Sequence, residues 1–216
     1  MHIEFLIEDS SSAALIQQLL PKLIGNYGNP HTWRTHSYKG IGRLPKGLHN
    51  GNDPSKRALL NQLPKLLLGY SKTSGIDAVV IILDTDSRNC DVFLSELETA
   101  KPHAPNTLKT LFGLATEEIE AWYFGDKSAV LSAFPNAKKS PLYQYVQDSV
   151  CDTWEALSDA IYPGGRQAVM KIGWPKPGQL KHEWANKIGP FMDVDNNQSA
   201  SFCKFRNELR QLAQVN

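Results

Sequence analysis

Cysteine is scarce in this chain of 216 residues, and what there is lies apart: Cys90, Cys151 and Cys203 are odd in number and distant in sequence. That excludes a disulfide framework and a CxxC metal knuckle, and it leaves buried or idle thiols as the reading. No run of about 20 apolar residues occurs, so no segment reads as a membrane-spanning helix. Net charge is small as well. The 23 Lys and Arg against 22 Asp and Glu leave +1, which excludes a molecule-wide attraction to polyanions. There is no GxxxxGK loop ending in Ser or Thr. Gly40-Ile41-Gly42 lacks the helix-opening glycine of a dinucleotide fingerprint, and Lys181-His182-Glu183-Trp184 lacks the second histidine of a zinc protease. No internal repeat and no low-complexity tract is present. Met1-His2-Ile3-Glu4 carries acid where a secretory leader needs base, so a mature, cytoplasmic protein is expected.

What is there reads as α/β. Residues 3–7 form a short apolar strand, and Asp9 with the serines after it caps a helix over 13–23, where Leu15, Leu19 and Leu23 recur at helical spacing. Residues 31–38 alternate as a second strand. Residues 39–53 are rich in glycine and read as a loop, and 56–70 as an amphipathic helix bent at Pro64. Ala78-Val79-Val80-Ile81-Ile82-Leu83 is a continuous apolar, mostly β-branched run, the pattern of a central parallel strand buried on both faces. A helix over 91–99, a strand over 108–115, a helix over 117–123 capped by Thr116 and a short helix over 127–134 complete the alternation. Strands alternating with helices imply a mainly parallel central sheet flanked by helices, a Rossmann-like fold joined by right-handed crossovers. Beyond Pro135 only helical stretches remain, over 143–161, 165–172, 179–188 and 201–214. The expected division is an α/β core over 1–134 and a C-terminal helical extension over 135–216 packed on it. The five tryptophans, among them Trp122, Trp154 and Trp174, read as core.

Three of the strands end in acid. Asp84-Thr85-Asp86 closes the best strand, where two aspartates at i and i+2 can reach one cation, and ligands of open α/β sheets bind beyond the carboxyl ends of strands. The competing reading is a solvated turn, since Asp-Ser-Arg-Asn is good turn chemistry. Glu8-Asp9 ends the first strand in the same way, and Asp9 is equally explained by the helix dipole. Glu117-Glu118-Ile119-Glu120 follows the last strand. On a helix Glu117 and Glu120 share a face that Glu118 leaves, and two like charges there repel unless a cation lies between them. Acids converging from three strand ends suit two-metal phosphodiester chemistry, with cations about 3.5–4 Å apart.

Base is segregated from this acid. Six Lys and Arg stand between His31 and Arg57 against Asp53 alone, and five between Arg166 and Lys187 against Glu183. Lys39, Arg43 and Lys46, set among glycines, can neutralise phosphates, although a solvated loop explains them as well. Lys181 and His182 are further candidate phosphate contacts.

A glutamate at the end of the first strand, a helix, and a hydrophobic strand ending in Asp84-Thr85-Asp86 resemble the TOPRIM domain of topoisomerases, bacterial primases, recombination-repair proteins and OLD-type nucleases. The resemblance covers about residues 1–125. Ile7-Glu8-Asp9 stands at the family's glutamate motif, with Asp9 where glycine is common. His36-Ser37-Tyr38-Lys39-Gly40 and Glu118-Ile119-Glu120-Ala121-Trp122 look like a bacterial TOPRIM-like family without an assigned function, whose members often stand beside defence-associated ATPases. The resemblance implies Glu8 as acid/base or second-metal ligand and Asp84 and Asp86 as ligands of Mg²⁺ or Mn²⁺. It further implies Glu117 and Glu120 completing the site, nucleic acid (DNA before RNA) as substrate, and an ATPase as partner. No tyrosine-bearing cleavage domain and no primase zinc module accompany it, which argues against those two activities. Metal-dependent nucleotide-sugar transferases also join a hydrophobic strand to DxD, in longer chains that do not need Glu8. Haloacid-dehalogenase phosphatases carry DxD on their first strand rather than the third. A non-catalytic subunit that binds nucleic acid or regulates an ATPase is the remaining alternative.

Overall fold

Four extended segments assemble into one all-parallel sheet: β1 (His2–Ile7), β2 (Thr32–Ser37), β3 (Ala78–Asp84) and β4 (Lys109–Ala115), in the order β2-β1-β3-β4. They belong to a computed structural model that describes residues 1–40, 42, 58–102, 108–149 and 152–215. Every residue of β3 is buried, as a continuous apolar run between two strands and two helical layers requires. Side chains alternate between the faces of the sheet with the period of two expected of strands. Ile3, Phe5, Ile7, Val80 and Ile82 enter one core, and Leu6, Val79, Ile81 and Leu83 the other.

Helix α1 (Ser10–Ile24) covers the first face through Leu15, Ile16, Leu19 and Leu23, while α2 (Leu59–Tyr70) and α3 (Cys90–Glu98) cover the second through Leu63, Leu67, Phe93 and Leu97. The remaining helices are α4 (Ala121–Phe124), α5 (Lys127–Ala133), α6 (Lys139–Gln144), α7 (Thr153–Ile161), α8 (Gly165–Ile172), α9 (Lys176–Ile188) and α10 (Ala200–Ala213). Their apolar side chains, including Trp184, Ile188, Phe202, Phe205 and Leu209, join the same core as β1 and α1. The fold is thus Rossmann-like α/β with C-terminal helices packed on it. Among the described residues no helix is long and apolar enough to cross a membrane.

Three expectations change. The helix expected over 117–123 is only the short α4, because residues 117–120 are held by the end of β3. The stretch 143–161 is not one helix. Tyr145 is extended and Asp148 is left-handed (φ 53°), and the Asp148 carboxylate accepts from the amides of Ala200 (2.6 Å) and Ser201 (3.2 Å), capping α10 instead of continuing α6. Trp122 and Trp184 are core, but Trp174 is 77% exposed.

Gly113 on β4 shows how closely α10 approaches the sheet. A Cβ there would lie 2.6 Å from Cδ2 of the buried Phe205. Gly113→Ala is therefore expected to cost about 1–3 kcal/mol through overpacking. Urea unfolding checks this, and an unchanged midpoint would mean that the ring has room to move.

Candidate functional site

The strand order decides where a site can form. From β1 the chain moves outward to β2, then returns past β1 to β3, so the winding reverses between β1 and β3. In open parallel sheets the crevice at such a reversal, beyond the carboxyl ends of the strands, is the binding position. Parallel pairing sets Ile7 opposite Ile82, which brings the residues following both strands to the same rim. Glu8 is the first residue after β1 and Asp84 the last of β3. The Glu8 amide donates to the Ile82 carbonyl (3.2 Å), and the Asp84 amide donates to Oε2 of Glu8 (3.1 Å). Asp84 in turn accepts the Ile119 amide at Oδ1 (2.9 Å). Acids remote in the chain are thus held side by side by main-chain groups.

Asp9 has a different task. Its Oδ1 accepts the amides of Ser11 (2.7 Å) and Ser12 (2.8 Å), so it is the cap of α1.

Burial makes these carboxylates costly to ionise. Glu8 is pushed up to about 7, by burial first, with the charges of Asp9 and Asp86 adding to it against the opposing Asp84 amide. Asp84 is raised well above the usual carboxylate range, by burial and then by Glu8. Glu120, 1% exposed, is raised to about 8 by its burial, even with Lys181 beside it. Lys181 reaches in from α9, its Nζ 3.2 Å from Glu120 Oε1 and 3.3 Å from Glu118 Oε1. Burial alone would lower its pKa, but the carboxylates of Glu120, Glu118 and Asp84 overcome this and hold it protonated. One ammonium thus faces several acids. Oε2 of both Glu118 and Glu120 is buried with no hydrogen-bond partner among the described residues.

The other expected ligands turn elsewhere. Asp86 adopts a left-handed backbone (φ 48°), bridges to Glu117 through its amide (2.9 Å to the Glu117 carbonyl) and pairs with Arg88 (2.9 Å). Glu117 is also left-handed (φ 57°). Its amide donates to Thr85 Oγ1 (2.9 Å), and its carboxylate accepts the Thr153 amide (3.1 Å) and hydroxyl. These bonds replace a helical turn at 117–120. Consequently Glu117 and Glu120 share no helix face, and Glu118, expected to point away, joins Glu120 at Lys181. Glu117 still has a raised pKa, about 7, chiefly from burial and then from Glu118.

Of the expected phosphate contacts, Lys39 is exposed beside Gly40, whose amide donates to the Glu8 carbonyl (3.1 Å). Arg43 and Lys46 lie outside the described residues. Lys181 is no surface contact, because its side chain is 12% exposed and ion-paired. His182 is exposed, with Nδ1 3.1 Å from the Ser10 carbonyl.

Among the described residues no three His, Cys, Asp or Glu side chains are arranged to hold a metal ion. The arrangement still suits Mg²⁺, which commonly takes one or two carboxylates and completes its octahedron with water and substrate oxygens. Glu8 and Asp84 are the two carboxylates that could hold such an ion, and Oε2 of Glu118 and of Glu120 has no hydrogen-bond partner among the described residues. Asp86, Glu117, Glu118, Asp152 and Glu155 line an adjoining open cleft.

Two participants escaped the sequence reading: Glu118, and Lys181 in its present role. A signal for the lysine existed. Residue 181 lies on the stripe of α9 formed by Pro177, Leu180, Trp184, Ala185 and Ile188, all buried, so a charge there needs a buried partner. Comparison with protein families, with curated proteins and with solved structures found no match.

Proposed function

We propose that this chain is a Mg²⁺- or Mn²⁺-dependent nuclease of the TOPRIM kind, cleaving nucleic-acid phosphodiesters, DNA in preference to RNA. An ATPase of the defence or DNA-repair kind is its proposed partner. The observation that carries the reading is the meeting of Glu8 and Asp84 at the sheet reversal, Oε2 of Glu8 being 3.1 Å from the Asp84 amide. Glu8, Asp84 and, if it leaves Arg88, Asp86 are the residues that would hold the ion. A bound divalent ion supplies Lewis-acid polarisation of the phosphoryl oxygen and charge stabilisation.

The protein's own groups divide the remaining work. Glu8, raised to about 7 with no ion bound, is the alternative proton acceptor for an attacking water where Asp84 and Asp86 hold the ion without it. The Lys181 ammonium, held between Glu118 and Glu120, is a fixed cation beside the Glu8 and Asp84 carboxylates. Exposed Lys39, two residues beyond β2, stands where a phosphate backbone approaching the rim would pass. The acidic cleft beside the site repels such a backbone until a cation neutralises it, which predicts that nucleic-acid binding also depends on the divalent ion.

The test is cleavage of supercoiled plasmid, linear DNA and RNA in a Mg²⁺ and Mn²⁺ titration. Wild-type protein should nick the plasmid, and Glu8→Ala and Asp84→Ala should each lose about 100-fold or more in rate. Equal cleavage by all three proteins would assign the activity to a contaminant and remove the reading. Absence of both cleavage and Mn²⁺ binding in the wild type would remove it equally.

A further inference from the structure

We propose that the turn between α8 and α9 takes an unpaired stretch of the substrate strand, with Trp174 as the platform on which a base stacks and Lys171 and Lys176 on the neighbouring phosphates. The inference rests on the nuclease reading above and names its substrate class: single strands, overhangs and frayed ends rather than closed duplex. Three apolar side chains stand in water within five residues of chain, Met170 (61% exposed), Ile172 (52%) and Trp174 (77%). One exposed apolar residue is ordinary, but a contiguous group marks a binding surface. Helix α8 already has a buried side in Gly165 and Val169, so these three are additional to its packing on the core. The Trp174 ring lies against the first turn of α9, where a Cβ on Gly178 would stand 2.9 Å from its Cζ3. Glycine at 178 thus lets the ring rest on the helix while most of it faces water.

Both helices that carry this turn are tied to the acidic site. Arg166, near the start of α8, pairs with Asp152 (3.0 Å), which lines the acidic cleft, and Lys181 on α9 pairs with Glu118 (3.3 Å). Lys181 follows Trp174 by seven residues, about 10 Å at the rise of a helix. Charge decides the kind of occupant. Between Arg166 and Lys187 five Lys and Arg face Glu183 alone. Lys171 is exposed with no ion-pair partner among the described residues, and Lys176 is 3.9 Å from Glu183, at the margin of an ion pair. An aromatic ring set among lysines suits a phosphate chain with accessible bases. In closed duplex the faces of the bases are covered by their neighbours, so the ring can stack only where the strand is unpaired. Negative supercoiling favours local strand opening, so the plasmid named above stays a substrate.

The test is fluorescence anisotropy of a labelled oligonucleotide, single-stranded or annealed into blunt duplex, added to the full chain with Ca²⁺ in place of Mg²⁺ to hold cleavage back. Wild type should prefer the single strand. Trp174→Ala should weaken single-strand binding roughly 10-fold, with duplex binding and melting temperature unchanged, and Trp174→Phe should restore most of the loss. Lys171→Gln should lower affinity and flatten its dependence on salt. Single-strand binding unchanged in Trp174→Ala, or duplex bound by the wild type as tightly as single strand, would overturn the proposal. So would binding of Trp174 to phosphatidylserine vesicles without any binding of oligonucleotide, which would assign the patch to a lipid surface. Any of these results, with cleavage and its dependence on Glu8 intact, leaves the nuclease reading standing. Trp174-dependent single-strand binding by a chain that cleaves in neither Mg²⁺ nor Mn²⁺ would instead remove the nuclease reading and support the strand-binding surface.

Discussion

Glu8→Gln is expected to raise the melting temperature near pH 8 while abolishing metal-dependent cleavage. Glu8 rises from an ordinary 4.5 to about 7 in the folded chain, so the folded state holds a proton that the unfolded state releases. Between those values the native protein binds more protons, and stability therefore falls as pH rises through about 7. Below the unfolded value the contribution is fully present; above the folded value it is gone. At about 1.36 kcal/mol per pKa unit, the ionised carboxylate costs at most about 3 kcal/mol. A glutamine keeps an oxygen for the Asp84 amide and carries no charge. For a chain of this length the gain corresponds to roughly 5–10 °C near pH 8, shrinking toward zero near pH 4. Thermal melts of both proteins across this range, with and without Mg²⁺, check the sign. Saturating Mg²⁺ should stabilise the wild type most at high pH, where it neutralises the same repulsion. A glutamine variant that melts below the wild type at pH 8 would mean that the anion supports the fold, and the account of Glu8 as a strained functional group would have to be dropped.

Trp122→Ala should cost about 3–5 kcal/mol, the range for deleting a buried aromatic side chain. Trp122 is fully buried, stacks on Phe205 at 5.3 Å, meets Phe202 edge-on at 5.2 Å and donates from its indole to Ser201 Oγ at 3.1 Å. Its carbonyl accepts from Asn197 Nδ2 (2.9 Å), so it also anchors the approach to α10. Unfolding of the variant by far-ultraviolet circular dichroism and tryptophan fluorescence should remain one transition, shifted down by roughly 10 °C. The reason is that residues of β1, α1 and α10 share one apolar cluster. Two separated transitions would show that residues 135–216 melt as a unit of their own, contrary to the packing seen here.

How much of this is legible in the sequence follows from the range of each interaction. The run from Ala78 to Leu83 declares itself, because a strand buried on both faces needs apolar, β-branched residues throughout. From that strand and the shorter one ending at Ile7, the positions of Glu8 and Asp84 follow at once: parallel strands deliver their last residues to one edge. Residues 117–120 misled the helical reading because three local acids imitate a helix start. What decides their shape is non-local: the Ile119 amide on Asp84 and the Glu117 amide on Thr85. Lys181 was read as a surface base for a similar reason, since its partners Glu118 and Glu120 lie some sixty residues earlier, and only the docking of α9 on α1 brings them together. Trp174 misled in the opposite direction, because an aromatic residue reveals its burial only once the faces of α8 and α9 are assigned.

The amides of Asp84, Ile119 and Glu117 donate to Oε2 of Glu8, Oδ1 of Asp84 and Oγ1 of Thr85, tying the tips of β1 and β3 and the turn after β4 together through side-chain acceptors. Glu8 and Asp84 are each pinned by a peptide N–H, so their carboxylates are oriented in the absence of any ligand. Little ordering would remain for a divalent ion held there to impose, so its affinity would follow the balance of charge around it and, at a buried pair, respond only weakly to ionic strength.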